Sequence, residues 1–368
     1  MSHILVFFKR LDLYLLTSSL LLCAVGLLMI YSTTFGESSG FGLLARQVTF
    51  VCAGFALLLV FVTIDYRYLG RISLVLYIFG VIMLAGLLLF GFAARGSIRW
   101  FDLGPFQLQP VEYMKVALVL FLASFFQKHI VLMSRMRYVV TSLAITALPV
   151  GLTMLQPDLG SAVVLMAIWF GMLLASGVSR RTLLWLLLFF VAVGAVGWQF
   201  GLHDYQRDRV LSFLSPEADP QGTGYNALQA IIAVGSGGFF GRGFARGVVS
   251  QLEFLPERQT DFIFASLAEE LGFVGAAFLF GLLVFWLYRQ IKVIDRARDN
   301  YGLLVGVGIF SYFLAQAGFN IAMNIGLVPI TGVPLPLISY GGSSLLVSLV
   351  AIGILQSIAA RAQPVRFT

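Results

Sequence analysis

The sequence predicts an all-α polytopic membrane protein of about ten transmembrane helices, with one long extracytoplasmic loop between helices 7 and 8. Three observations predict it. Of 368 residues, 59% are hydrophobic and only 11% charged, with a mean hydropathy of +0.93, too little polar surface for a water-soluble fold. Apolar runs of about twenty residues, long enough to cross a hydrocarbon core of about 30 Å as helices, recur along the chain. Basic residues alternate between the connections in the way that Lys and Arg mark cytoplasmic loops.

The ten runs are Leu13–Tyr31, Ala45–Ile64, Ser73–Gly91, Val111–Phe126, Tyr138–Leu155, Leu159–Ser176, Thr182–Phe200, Asp261–Tyr288, Gly302–Val328 and Ser343–Ala360. The first lacks a small-residue cleavage site and reads as a retained anchor. An even number of spans puts both termini on one side. Lys9, Arg10, Arg67, Arg71, Lys128, Arg135, Arg137, Arg180, Arg181, Arg289, Lys292, Arg296, Arg298, Arg361 and Arg366 all fall on that side, which is therefore cytoplasmic. The net charge of +7 is thus mostly topology, not a footprint for nucleic acid. Cys23 and Cys52 lie inside spans without disulfide or metal spacing and read as packing residues.

No repeat divides the chain, so residues 1–368 read as one membrane domain containing the loop 201–260. A connection of that length is usually functional. Within it, Asn226–Val234 is apolar enough for a short helix lying on the membrane face. The stretch Gly235–Gly243 lacks the Lys-Ser/Thr ending of a nucleotide P-loop. It reads either as backbone that approaches a ligand or as a plain loop.

The distinctive polar residues gather on the extracytoplasmic face. In Glu257-Arg258-Gln259-Thr260-Asp261, Thr260 can cap the following helix and place Asp261 in its first turn, where the helix dipole favours a negative charge. Asp261 then reads as an ordinary first-turn acid or as a carboxylate able to accept a proton. Glu269, eight residues on, lies roughly 12 Å deeper and reads as structural. In Arg99-Trp100-Phe101-Asp102, Arg99 and Trp100 form an interfacial anchor or a phosphate and sugar contact. In Gln109-Pro110-Val111-Glu112-Tyr113-Met114-Lys115, Pro110 suits the first helical position, and Glu112 and Lys115 share a flank. Lys115 either pairs with Glu112 or reaches a ligand phosphate or Asp261. Asp158 in Gln156-Pro157-Asp158 caps a turn or adds a carboxylate to the face. The proline-rich stretch from Pro329 to Ser344 must be buried or line a cavity. Its free amides can hold an anion, and Ser343 can cap the last helix.

Leu255–Glu270, Pro216–Asn226, Gly96–Lys115 and Pro334–Ser344 together resemble the SEDS family of RodA and FtsW, with a likeness that spans nearly the whole chain. Glu257–Asp261, Val333-Pro334-Leu335-Pro336 and the short N-terminus look closer to its RodA branch. Departures are few: Val111 stands where Ser is frequent, Val248-Val249 where Thr-Gln is usual, and Ala322 where Gly is frequent. The resemblance implies a peptidoglycan glycosyltransferase that polymerises lipid II on the outer face of the bacterial cytoplasmic membrane during elongation and shape maintenance. It implies a class B penicillin-binding protein as partner, alongside lipid II, the growing glycan strand and membrane lipids. Asp261 matches the family's proposed base. Arg99, Trp100, Gln109, Glu112, Lys115, Asp158, Arg207, Glu257, Arg258, Thr260, Ser339 and Ser343 are the candidate substrate-binding residues. Lys115, Arg99 and Arg207, with or without a divalent cation such as Mg or Mn, would stabilise the departing pyrophosphate. No nucleotide is needed, because the donor is already activated.

Two other classes fit ten helices with intramembrane carboxylates: a flippase for lipid-linked precursors, and a non-catalytic scaffold for an enzyme partner. A transporter lines a path through both leaflets with polar groups, whereas these motifs crowd one face.

Overall fold

A computed structural model describes residues 10–35, 40–94, 97–102, 104, 107–132, 135–196, 213, 223–251, 255 and 257–362. All ten apolar runs become helices: α1 (Leu13–Thr33), α2 (Gly40–Thr63), α3 (Tyr66–Phe90), α4 (Pro110–His129), α5 (Met136–Leu155), α6 (Leu159–Ala175), α7 (Arg180–Val196), α10 (Ile263–Asp295), α11 (Asn300–Asn324) and α12 (Gly342–Ala360). Two more, α8 (Thr223–Ser236) and α9 (Val248–Gln251), lie between α7 and α10. Eight are long and apolar enough to cross a membrane, while α6 and α7 have 17 residues each, close to the lower limit for a span. Aspartates start several of them. Asp12, Asp65, Asp158 and Asp299 each accept a first-turn amide, from Leu15, Arg67, Ser161 and Gly302, a cap worth about 1 kcal/mol.

α12 and α4 are mostly enclosed by other helices, whereas α2 shows most of its surface outward. Cys23 packs in this interior, but Cys52, on α2, is exposed, so only the first of the two is a packing residue. At the end bearing both termini, Arg289 pairs with Asp12, Arg361 with Asp65 at 3.6 Å and Arg67 with Asp299 at 2.7 Å. The Gln356 carboxamide closes the same end, accepting from the Asp12 amide at 2.9 Å and donating to its carbonyl at 2.8 Å.

At the opposite end, the connection between α3 and α4 is a small antiparallel sheet of β1 (Phe92–Ala94), β2 (Ser97–Asp102) and β3 (Gln107–Leu108), in that spatial order. The sheet was not expected from the sequence. It carries Arg99 and Trp100 on β2.

The loop before α10 also departs from expectation. α8 does not lie across the membrane face but descends beside α10: Ala230 and Ala233 pack in one cluster with Phe262 and Ala265, and a Cβ on Gly237 would strike the Ala268 carbonyl. α10 is broken at Gly272 (φ 66°, ψ −163°), a conformation that only glycine adopts readily. The glycine-rich stretch is spliced into the break by backbone bonds. Arg242 and Gly243 amides donate to the Glu269 and Glu270 carbonyls at 3.1 and 3.0 Å, and Phe273 and Val274 amides donate to Gly238 and Phe239 carbonyls at 2.9 and 3.2 Å. Gly272 lies nine residues into α10, roughly 14 Å from its start, so the loop is re-entrant. Irregular backbone at that depth requires protein partners, and this break has them.

Both intramembrane glutamates tie down the same loop. Glu269 accepts from the Val249 amide at 2.8 Å; Glu270 accepts from the Ser32 hydroxyl and from the Ala245 amide at 3.2 Å. Val249 contributes through its main chain, so the Val248-Val249 departure leaves this contact in place.

Candidate active site

Asp261 lies just outside α10, not in its first turn. The helix begins at Ile263 with Phe262 as its cap residue and no side-chain cap. The Thr260 hydroxyl instead bonds the Glu257 carbonyl and carboxylate at 3.2 and 3.1 Å. Glu257 has φ 54°, and its carbonyl takes the amides of Thr260 and Phe262 at 3.0 and 3.3 Å. Residues 257–262 thus form a tight, self-bonded turn, and the Thr260 hydroxyl points back to Glu257 and does not cap α10.

Three successive carbonyls of this turn are held by other elements. Gln259 O accepts from the Tyr340 amide at 2.8 Å, Thr260 O from the Ser339 hydroxyl at 2.6 Å, and Asp261 O from the side-chain amides of Asn320 and Asn324 at 2.9 and 3.0 Å. The proline-rich segment therefore acts as a brace. Val333, Leu335, Leu337 and Ile338 are buried, as irregular backbone within a membrane must be. Five amides of this segment are taken up by the protein: Leu335 N donates to Ser339 Oγ, Ile338 N and Ser339 N to the Leu335 carbonyl, Tyr340 N to Gln259 and Gly341 N to Gln47 Oε1.

The side chain of Asp261 faces Gly332. A Cβ built on Gly332 would lie 3.4 Å from Asp261 Oδ2 and 3.9 Å from Arg99 Nη1. Carboxylate and guanidinium therefore border one small space whose wall is bare backbone. Arg99 also donates to the Pro157 carbonyl and lies 3.9 Å from Asp158 Oδ1. Its Nε is buried with no hydrogen-bond partner. Asp158 is both the cap of α6, accepting from Ser161 N at 3.2 Å, and the acid behind Arg99. Trp100 follows on β2, partly exposed.

Lys115 is elsewhere. It is fully buried, with Nζ 2.7 Å from Glu112 Oε1 and 2.9 Å from Gln316 Oε1, and 5.1 Å from the centre of the Tyr312 ring. Its ammonium is given to these neighbours and not to Asp261, which favours the paired reading of Glu112 and Lys115. Pro110 is the first residue of α4, as expected, and Gln109 precedes it as the cap position without a side-chain cap bond. Ser343 does not cap α12, whose cap position is Gly341. Its hydroxyl donates to the Gln107 carbonyl at 2.7 Å and accepts from the Gln109 amide at 3.1 Å, tying the sheet to α12. Ser339, with its hydroxyl shared between Leu335 N and Thr260 O, supports the site from behind. Arg258 is buried beside it in the turn. Arg207 lies outside the described residues.

The sequence reading missed Gln316, Asn320 and Asn324. With Tyr312 they recur every fourth residue along α11, so they share one face, and all four are fully buried. That spacing of polar residues inside an apolar run was the available signal. Gln316 Nε2 donates to Pro334 O at 3.0 Å and Asn320 Nδ2 to Val333 O at 2.8 Å, so the stripe joins the Glu112–Lys115 pair to the turn holding Asp261.

A family model of cell cycle proteins, FtsW/RodA/SpoVE, matches residues 12–363. The chain is 37% identical over 345 residues to the peptidoglycan glycosyltransferase MrdB of Escherichia coli K12, covering 93% of each. Among solved structures it resembles a chain described under "Structural coordination of polymerization and crosslinking by a peptidoglycan synthase complex", with a TM-score of 0.83 and 30% identity over 95% of this chain and 97% of that one. It also resembles the Thermus thermophilus rod shape determining protein RodA, with a TM-score of 0.71 and 27% identity over 96% of this chain and 98% of that one.

Proposed function

The chain belongs to the FtsW/RodA/SpoVE family of cell cycle proteins, and from that membership and the geometry of the site we propose that Asp261 is the general base of a peptidoglycan glycosyltransferase acting on lipid II. The observation that carries this reading is the shared space beside Gly332, with a carboxylate on one border and a guanidinium on the other.

The Asp261 carboxylate takes the proton from the 4-hydroxyl of the acceptor GlcNAc as that oxygen attacks the anomeric carbon of the donor MurNAc. The bond from that carbon to the diphosphate breaks, and undecaprenyl pyrophosphate leaves with the electron pair. Negative charge grows on the leaving group, and Arg99, braced by Pro157 and Asp158, is the cation positioned to receive it. Fixing the backbone of residues 259–261 keeps the base from drifting while two lipid-linked sugars are brought together.

A divalent cation, Mg or Mn, carried by the substrate's diphosphate would add to the charge that Arg99 supplies. Among the described residues no group of three His, Cys, Asp or Glu side chains could hold a metal.

The protein is a multi-pass protein of the bacterial inner membrane, with its termini in the cytoplasm and the Asp261 face outside. The basic residues support that orientation: Arg67, Arg289 and Arg361 all sit at the terminal end. A class B penicillin-binding protein is the partner, and elongation with shape maintenance is the process served. The likeness to a chain of a peptidoglycan synthase complex supports the first.

Purified protein supplied with lipid II, with and without the transpeptidase and with Mg or Mn added or chelated, tests the reading. Formation of glycan strands with release of undecaprenyl pyrophosphate is expected. Failure to polymerise under every one of these conditions would overturn it.

A further inference from the structure

In a continuous α-helix the carbonyl of residue i accepts from the amide of residue i+4, so extending α10 backward by one residue requires Asp261 O to accept from Ala265 N. That bond is replaced. Asn324 Nδ2 donates to Asp261 O at 3.0 Å, while Asn324 Oδ1 accepts from Ala265 N at 3.3 Å. One carboxamide, projecting from α11, is inserted between the two backbone groups that would otherwise close the turn. Asn320 Nδ2 adds a second bond to Asp261 O at 2.9 Å and joins it to Val333 O at 2.8 Å, next to Gly332.

Both asparagines are fully buried in a membrane helix, where a polar side chain is expensive unless it is hydrogen-bonded. Their donors go to the main chain of the two segments that border the site. Asn324 is further held by Asn320, donating to its carbonyl at 2.8 Å, so the pair acts as one unit.

We infer that Asn320 and Asn324 are positioning residues for Asp261: they keep the first turn of α10 from extending back to Asp261 and so set the direction of the carboxylate toward Gly332 and Arg99. Removing the Asn324 carboxamide lets Asp261 O and Ala265 N pair with each other. The helix then grows by one residue and Asp261 becomes its cap residue, with its carboxylate drawn toward the first-turn amides and away from the shared space. This inference rests on the reading of Asp261 as the base.

The mechanism predicts an unusual pairing of effects. Because the backbone bond that forms on truncation replaces the ones lost, N324A keeps its thermal midpoint within a few degrees. Its kcat for lipid II polymerisation nevertheless falls by about 10- to 100-fold, the effect of misplacing a reacting group by about 1 Å, with KM within about twofold because no substrate contact is removed. N320A loses kcat in the same way but with a lower midpoint, because Asn324 still separates Asp261 O from Ala265 N and no new bond replaces the donor lost at Val333 O. A merely structural role would lower the midpoint and the amount of folded protein together, without a selective loss of kcat.

The experiment measures kcat, KM and thermal midpoint for N324A, N320A, D261N and the double variant D261N/N324A in the full chain with its transpeptidase. If N324A does not fold, N324S, which keeps a short polar side chain, carries the same test. Loss of kcat in N324A or N320A at unchanged KM, with no further loss when N324A is added to D261N, supports the inference. Wild-type kcat in N324A and N320A, with D261N inactive, overturns it and leaves the base assignment standing. Activity retained in D261N overturns the base assignment, and this inference with it.

Discussion

Arg99 and Asp261 meet across a glycine: Gly332, at φ 69°, presents bare backbone to both the guanidinium and the carboxylate. The position has two reasons to be glycine, its left-handed backbone and the space it leaves. Gly332→Ala is expected to lower polymerisation about tenfold or more by narrowing the gap between base and cation. Gly177→Ala is the control. Its φ is 78° but a Cβ there meets nothing within 4 Å, so it should lose a little stability and keep its rate. Equal loss of activity in the two variants would mean that backbone strain, not the space beside Asp261, sets the effect.

Arg99→Lys keeps the charge and discards the planar fork that spans Pro157 O, Asp158 and the shared space. The structure predicts a fall in kcat/KM of about 100-fold, because a point charge on a flexible stem cannot hold these directions together. Steady-state kinetics on lipid II measures it. Near-wild-type kinetics would show that positive charge alone suffices.

Gly272→Ala addresses the splice. Alanine at φ 66°, ψ −163° is strained, and its Cβ would approach Gly241 N to 2.2 Å. Ejecting the re-entrant segment exposes four backbone bonds, so a destabilisation of at least about 2–3 kcal/mol is expected. Limited proteolysis in detergent should show new cleavage near residues 238–248. A protease pattern and thermal midpoint like those of wild type would argue against the splice.

Asp299 gives a pH signature at the terminal end. Burial raises its carboxyl, but the Gly302 amide, the Arg67 guanidinium and the Tyr66 hydroxyl outweigh burial and hold it below the usual carboxylate value. Its stabilisation is therefore full above about pH 4 and lost as pH falls through the lower, folded-state value. Because the group is partly exposed and its partner Arg67 more so, solvent screening holds the effect under about 1 kcal/mol. Asp299→Asn should lower Tm slightly at neutral pH, and the difference from wild type should close in acid. A difference that stayed constant down to pH 3 would contradict this.

The helices were legible from apolar runs of span length, and four of the ten start at an aspartate, Asp12, Asp65, Asp158 or Asp299, whose side chain accepts a first-turn amide. The charged members of the site were legible too, since Asp261, Arg99 and Asp158 stand out where lipid gives way to water. What escaped depends on contacts distant in sequence. Thr260 has the right residue type for a cap, but its hydroxyl turns back to Glu257, Asn324 binds the carbonyl of the next residue, and the cap position falls to Phe262. Lys115 left two readings open, a pair with Glu112 or a reach for substrate, and Gln316, 201 residues away, joins Glu112 in binding its ammonium. Nothing adjacent to Gly272 in the sequence marks a break, and only the amides of Arg242 and Gly243 give it a physical cause.

Replacing Asp261 by Asn changes one oxygen for an amide group and leaves the main-chain bonds to Asn320, Asn324, Ser339 and Tyr340 available. The most direct measurement is polymerisation of lipid II by purified D261N, beside wild type and with its thermal midpoint recorded. The account predicts a folded protein of nearly unchanged midpoint that forms no glycan strands. Strand synthesis by D261N at the wild-type rate would contradict it.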